Sequence, residues 1–194
     1  DKLKVIGLSG KVLANITVKQ LVETGKSRVP NLFFCDVPIK AEVSNYRLRY
    51  LYNIIKNEYR HQLIMDNCIG QTIISVKFKD HAHILQDFLE KNNKRATVFS
   101  SESDNYNKVI DDFKNEKTQI LIATAVIKEG LNIPNIDTMI NAGGGKSKIF
   151  IKQAIIGRAT RKKLGHSSVR LVDFNDLAFP EHTALRKSFY EEIA

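Results

Sequence analysis

Two arginines three residues apart, Arg158 and Arg161, are the side chains in this sequence best suited to chemistry. Each is permanently charged, planar and rich in donors, which suits the oxygens of a nucleotide triphosphate during phosphoryl transfer. On a helix, residues at this spacing share one face. No acidic residue lies near them in sequence, although a pair of surface salt bridges is the plainer alternative. Gly157 precedes them directly and costs a helix roughly 1 kcal/mol relative to Ala, so close packing or close ligand approach is its expected reason. The surrounding stretch is basic. Thr138–Val172 holds Lys146, Lys148, Lys152, Arg158, Arg161, Lys162, Lys163 and Arg170 and no acidic residue, whereas elsewhere 22 basic residues face 21 acidic ones. Positive charge confined to one segment implies a polyanionic partner, nucleic-acid phosphate or a nucleotide. A solvated basic helix face is the alternative.

Upstream, Ala142-Gly143-Gly144-Gly145-Lys146-Ser147 ends in Gly-Lys-Ser. A P-loop requires a glycine five positions before the second one, and that position is Ile140; Gly25-Lys26-Ser27 fails likewise at Gln20. Neither is a P-loop. The glycines still let the backbone pass close to a phosphate, and Ser147 can cap a helix running to about Lys163, ahead of Gly165. A turn with no ligand is equally compatible. Thr124 follows the strongest strand, where a hydroxyl can meet a phosphate, and Glu129-Gly130 lie where a carboxylate and backbone can reach a ligand.

The elements that must position these residues alternate between strand and helix. Strands are expected at 72–76, 96–99, 119–123, 138–141 and 169–172, with helices from Asp80 to Lys91 and from Tyr106 to Asn115, the latter capped by Asp104. Such alternation implies an α/β fold with a parallel sheet covered by helices on both faces, and ligands gather at the carboxyl ends of its strands. Residues 5–8 and 32–37 read as further strands. Tyr46–Cys68 reads as one long helix capped by Ser44 or Asn45, and Pro180–Ile193 as a closing amphipathic helix.

Taken together, Ile120–Asp137 followed by Gly157-Arg158-Ala159-Thr160-Arg161 resembles motifs V and VI of the superfamily-two helicases. The chain looks like the second, C-terminal RecA-like domain of such an enzyme, with its nearest likeness among DNA-repair and phage recombination helicases. Gly7-Leu8-Ser9-Gly10 resembles motif III, Ile73–Lys79 stands in the place of motif IV, and Val172–Asp176 resembles the domain's last strand. The resemblance implies a division at about residue 40, between a tail of the first RecA-like domain with its connector (1–40) and the second domain (41–194). It also implies that Arg158 and Arg161 face ATP held by the first domain of the same parent chain. Glu129, Gly130, Asn132, Gln153 and Gly157 would serve ATP binding and coupling. Lys77, Thr124, Gly144, Gly145, Lys146, Ser147 and Lys148 would lie along the nucleic-acid backbone. Two positions depart from the pattern. Asn132 replaces the usual Asp, and Gln153 stands four residues before the motif VI glycine rather than three, with Ala154 in the expected place.

The chain has no Walker A lysine motif and no Asp-Glu magnesium motif. The expectation is therefore the motor half of an ATP-dependent DNA helicase, with ATP and Mg²⁺ used by the parent and none bound by this piece alone. RNA as the strand, a restriction or remodelling motor, and a standalone nucleic-acid-binding module are the alternatives. No apolar run reaches the ~18 residues of a membrane span, so no membrane partner is expected. Asp1 without a signal-peptide pattern suggests a piece excised from a longer protein, a cytoplasmic monomer, in host cytoplasm if phage-encoded. Cys35 and Cys68 are far apart and read as reduced thiols, and the five histidines lack ligand spacing and read as surface or loop residues.

Overall fold

The computed structural model describes residues 17–99, 106–124, 136–148, 150–161 and 165–192. Six strands are described: β1 (Val29–Val37), β2 (Thr72–Ser75), β3 (Ala96–Phe99), β4 (Ile120–Ala123), β5 (Thr138–Asn141) and β6 (Ser168–Asp176). They pair in the order β1-β6-β5-β2-β4-β3, every pair parallel. β2, β4 and β5 are buried at every position, as central strands covered on both faces must be, which is why they read as unbroken apolar and β-branched runs.

Neighbouring residues of each central strand point to opposite faces and divide the core in two. Ile73, Leu121, Met139 and Leu171 meet one layer of helices, while Ile74, Ile122, Ile140 and Val172 meet the other. The first layer contains α5 (Tyr106–Lys114), a π-helical run Phe150–Ile156 continuing into α6 (Gly157–Ala159), and α7 (Pro180–Glu191). The second contains α3 (Glu58–Asp66) and α4 (Lys79–Lys91). This is the RecA-like α/β architecture expected, with helices on both faces.

Several boundaries differ, each for a local reason. β1 begins at Val29 and includes Pro30, which is tolerated because β1 is an edge strand among the described residues, with one strand paired to it. It pairs with β6 along nine residues, so 29–37, read from sequence with the connector, lie inside this sheet. The long helix expected over Tyr46–Cys68 is three pieces: α2 (Tyr46–Tyr50), a π-helical turn Leu51–Ile55, and α3. Asn45 caps the first by accepting from Arg47 N and Leu48 N. Asn57 caps α3 by accepting from Arg60 N, which restarts the helix rather than continuing it. Asp80 lies in the first turn of α4 and is not its cap; the N-cap is Phe78, which makes no side-chain cap. A short α1 (Val18–Glu23), closed by a Thr17–Gln20 capping box, was not expected. The strand at 5–8, the motif III resemblance and Asp104 fall outside the described residues.

Candidate nucleotide and nucleic-acid interface

The sheet's carboxyl edge holds a turn built from Ala142, Gly143, Gly144 and Gly145. Four side chains from three different helical segments engage its consecutive carbonyls. Arg60 Nη1 donates to Ala142 O at 2.9 Å, and Tyr50 Oη donates to Gly143 O at 2.5 Å. His182 Nδ1 lies 3.3 Å from Gly144 O, and Arg186 Nη1 donates to Gly145 O at 3.3 Å. Gly144 has φ +59, the left-handed region that favours glycine. Among the described residues, no acceptor takes the N–H of Gly143, Gly144 or Gly145. A turn with its carbonyls held by the protein and its amides uncommitted is suited to an anion.

The two arginines that hold the turn are themselves held by buried carboxylates. Arg60 Nε meets Asp176 Oδ1 at 2.9 Å, and Arg186 contacts Asp173 Oδ1 at 2.9 Å and Asp176 Oδ2 at 3.1 Å. Asp173 also accepts from Asn141 Nδ2 and Tyr190 Oη, both at 2.9 Å. Burial pushes the Asp173 carboxyl up, against the pull of Arg186, Asn141, Phe174 N and Tyr190. Burial likewise raises the Tyr50 phenol, which stays a donor. None of Tyr50, Arg60, Asp173, Asp176 and Arg186 was expected as a site residue, because only the fold brings residues so far apart to one turn.

Beside the turn is a cavity of about 340 Å³. It is lined by Val76 and Lys77 after β2, Asn141 and Gly143 after β5, and Gly145, Lys146, Ser147, Phe150 and Ile151. Lys77, Lys146, Ser147 and Lys148 are exposed, while Gly144 and Thr124 are buried. Asn141 Oδ1 is buried and has no partner among the described residues, so it offers one acceptor beside the cavity. Lys148, expected on the strand-binding surface, pairs with Glu192 at 2.5 Å. Ser147 Oγ accepts from Phe150 N at 3.3 Å and starts the helix as expected.

That helix does not run to Lys163. Its α-helical end is Ala159, and Arg161 follows Thr160 outside it. The two arginines therefore do not share an exposed helical face: Arg158 is 5% exposed and buried, whereas Arg161 is exposed. Nor do they stand at the carboxyl edge. Arg28 N donates to Thr160 O at 2.8 Å and Val29 N to Ser167 O at 2.9 Å, which puts the arginine turn at the amino ends of β1 and β6. The glycine turn thus precedes the helical run and the arginine turn follows it, at opposite edges of the sheet.

The π-helical run also bears on Gln153. The run spans Phe150–Ile156, so the backbone between Gln153 and Gly157 is π-helical through Ile156, where a turn holds about one residue more than an α turn. Glu129, Gly130 and Asn132 lie outside the described residues. Two histidines expected at the surface are buried instead. His61 sits with Nε2 2.8 Å from Ile55 O, and His81 has no partner at either ring nitrogen among the described residues.

Residues 52–163 match the family described as helicase conserved C-terminal domain. An ATP-dependent RNA helicase DBP5 of Kluyveromyces lactis is 28% identical over 109 residues, 53% of this chain and 23% of that protein. The chain therefore spans about a quarter of that relative's length. Among solved structures, S. cerevisiae Dbp5 bound to RNA and ADP BeF3 superposes with TM-score 0.66 at 16% identity, over 100% of this chain and 46% of the other. T4 UvsW superposes with TM-score 0.63 at 18% identity, over 85% and 39% respectively. At these identities the superpositions establish a shared fold.

Proposed function

The chain belongs to the helicase C-terminal domain family as a superfamily-two RecA-like domain, and from that membership we propose that it is the second motor domain of an ATP-dependent DNA helicase or translocase. ATP and Mg²⁺ belong to the parent. They are held on the first RecA-like domain, and this domain closes over them. Arg161, exposed at the arginine turn, is the side chain better placed to reach the γ-phosphate, where a donor in the transition state accelerates transfer by roughly 10³-fold or more. Arg158 is buried and in this reading reaches phosphate only by swinging outward as the domains close. Glu129, Gly130, Asn132, Gln153 and Gly157 serve ATP binding and coupling in this reading.

At the other end of the helix, the amides of Gly144 and Gly145 with Lys77, Thr124, Lys146 and Ser147 follow the strand's phosphates. Contacts of that kind are tolerant of sequence and weaken as salt rises. Lys148 joins them by releasing Glu192. The observation that carries the proposal is the two-ended helix. The helical run Phe150–Ala159 lies between an anion-suited turn and a turn bearing an exposed guanidinium, so a change at the nucleotide is felt at the strand.

RNA is the second reading, favoured by the matching relative's description as an RNA helicase. A binding module without motor activity is a third. The parent is placed in the cytoplasm, the host's if phage-encoded, as a monomer with no membrane partner. Steady-state ATPase of the full-length parent with equal lengths of single-stranded DNA and RNA separates these readings. Stimulation by DNA at least ~10-fold above RNA is expected. Equal or greater stimulation by RNA moves the assignment to RNA, and ATPase absent with either strand leaves the binding module.

A further inference from the structure

We propose that Arg28, with Ser27, is a positioning residue that sets the geometry of the arginine turn; the inference rests on the reading of Arg161 as the group that meets the γ-phosphate. The observation is a convergence of hydrogen bonds on three consecutive carbonyls. Arg28 Nη2 donates to Ala159 O at 2.6 Å, Arg28 N to Thr160 O at 2.8 Å, and Arg28 Nε to Arg161 O at 2.7 Å. Ser27 Oγ adds a second donor to Thr160 O at 2.9 Å. Two adjacent residues, more than 130 positions away in sequence, thus hold every carbonyl from Ala159 to Arg161. Arg28 Nη1 also reaches Ser168 O at 3.4 Å, tying the turn to the start of β6.

The physics favours a guanidinium here. The last carbonyls of a helix have no partner within it and carry partial negative charge, so a cation at that end is stabilising. Ala159 is the last helical residue of the run, so the carbonyls from Ala159 onward need partners from elsewhere in the fold. A planar fork with fixed donor directions engages several carbonyls at once, which a lysine ammonium on a flexible stem cannot reproduce. Arg28 is 3% exposed, and burial depresses its pKa, with Asp137 opposing. Desolvating a cation this far to satisfy carbonyls is expensive, and the carbonyls it satisfies belong to the one turn that bears the exposed arginine. A displacement of about 1 Å in a group acting on a transition state lowers turnover by roughly 10²-fold. Arg28 acts through Arg161 and does not itself meet the nucleotide.

A double-mutant cycle in the full-length parent tests this, with Arg28→Gln, Arg161→Ala and the pair measured for kcat, KM for ATP, nucleic-acid Kd and thermal midpoint. Arg28→Gln is expected to lower kcat by roughly 10- to 100-fold, with KM and Kd within about 3-fold. In the Arg161→Ala background it should have no further effect on kcat, which a merely structural role would not produce. Arg28→Lys should recover part of the loss. Ser27→Ala removes only one Thr160 bond and should give a smaller fall in kcat of about 2- to 5-fold, so the test stands even where Arg28→Gln fails to fold. Independent, multiplicative losses overturn the proposal, as does unchanged kcat in Arg28→Gln or, where that variant does not fold, in Ser27→Ala, beside an impaired Arg161→Ala. Unchanged kcat in Arg161→Ala removes the underlying reading and this inference with it.

Discussion

His61 of α3 and His81 of α4 sit side by side within the second helical layer, their ring centroids 6.2 Å apart. Burial lowers the His61 pKa to about 4, helped by Arg60 and Lys40 and opposed by the Ile55 carbonyl and Glu58. Burial lowers His81 as well. Both rings fold neutral. Well above pH 6.5 neither state binds these protons, and stability is flat with respect to them. As pH falls through 6.5 the unfolded chain takes up protons that the folded chain refuses, in the case of His61 until about pH 4, so stability falls across that window. For His61 alone the loss is about 3 kcal/mol. Denaturant unfolding of this domain between pH 7.5 and 4.5 should show the decline, and His61→Gln should make it shallower; an unchanged slope in that variant contradicts the assignment. Residue types gave no hint of this, because a histidine's burial depends on which helix face meets the sheet. Arg158 and Arg161 were legible as a pair because their spacing is local. Arg28, Arg60 and Arg186 were not, because the turn carbonyl each one holds lies more than 40 positions away.

The glycine turn and the helix that follows it work as one element. Its rigidity comes from the buried Arg60–Asp176–Arg186–Asp173 arrangement, and its shape from Gly144. A Cβ at Gly144 would stand 3.2 Å from Ile54 Cδ1 and would hold a left-handed φ. Gly144→Ala should therefore cost about 1–2 kcal/mol, with a thermal midpoint several degrees lower and weaker strand binding. An unchanged midpoint would mean that the turn has another conformation. Central strands were legible as short apolar runs with nearly correct limits. Helix ends were less so, and the two π-helical runs not at all, since both periodicities read as helix over so few residues. Phe78 shows the same limit from another side: Asp80 has the better capping chemistry, yet Phe78 takes the cap position with no side-chain bond.

At the scale of the whole molecule, the excess behind the net charge of +9 lies in Thr138–Val172, the segment that runs from β5 into β6 and contains both turns. The rule that ligands gather at the carboxyl edge of a parallel sheet located the glycine turn. It misplaced the arginines, because a helix returning across the sheet delivers its far end to the amino edge. In the proposed motor reading, that separation lets strand and nucleotide be met by opposite ends of one helical run. The isolated domain should accordingly show no Mg²⁺-dependent ATPase, lacking the P-loop and Asp-Glu residues of its partner. Measurable hydrolysis by the pure domain, lost on mutating Arg158, contradicts this. The most direct measurement is kcat for ATP in the full-length parent with Arg161→Ala beside the natural residue. A fall of roughly 10³-fold or more, with nucleic-acid affinity nearly unchanged, is the predicted result. Unchanged turnover with weakened strand binding would move Arg161 from the nucleotide to the groove and contradict the account.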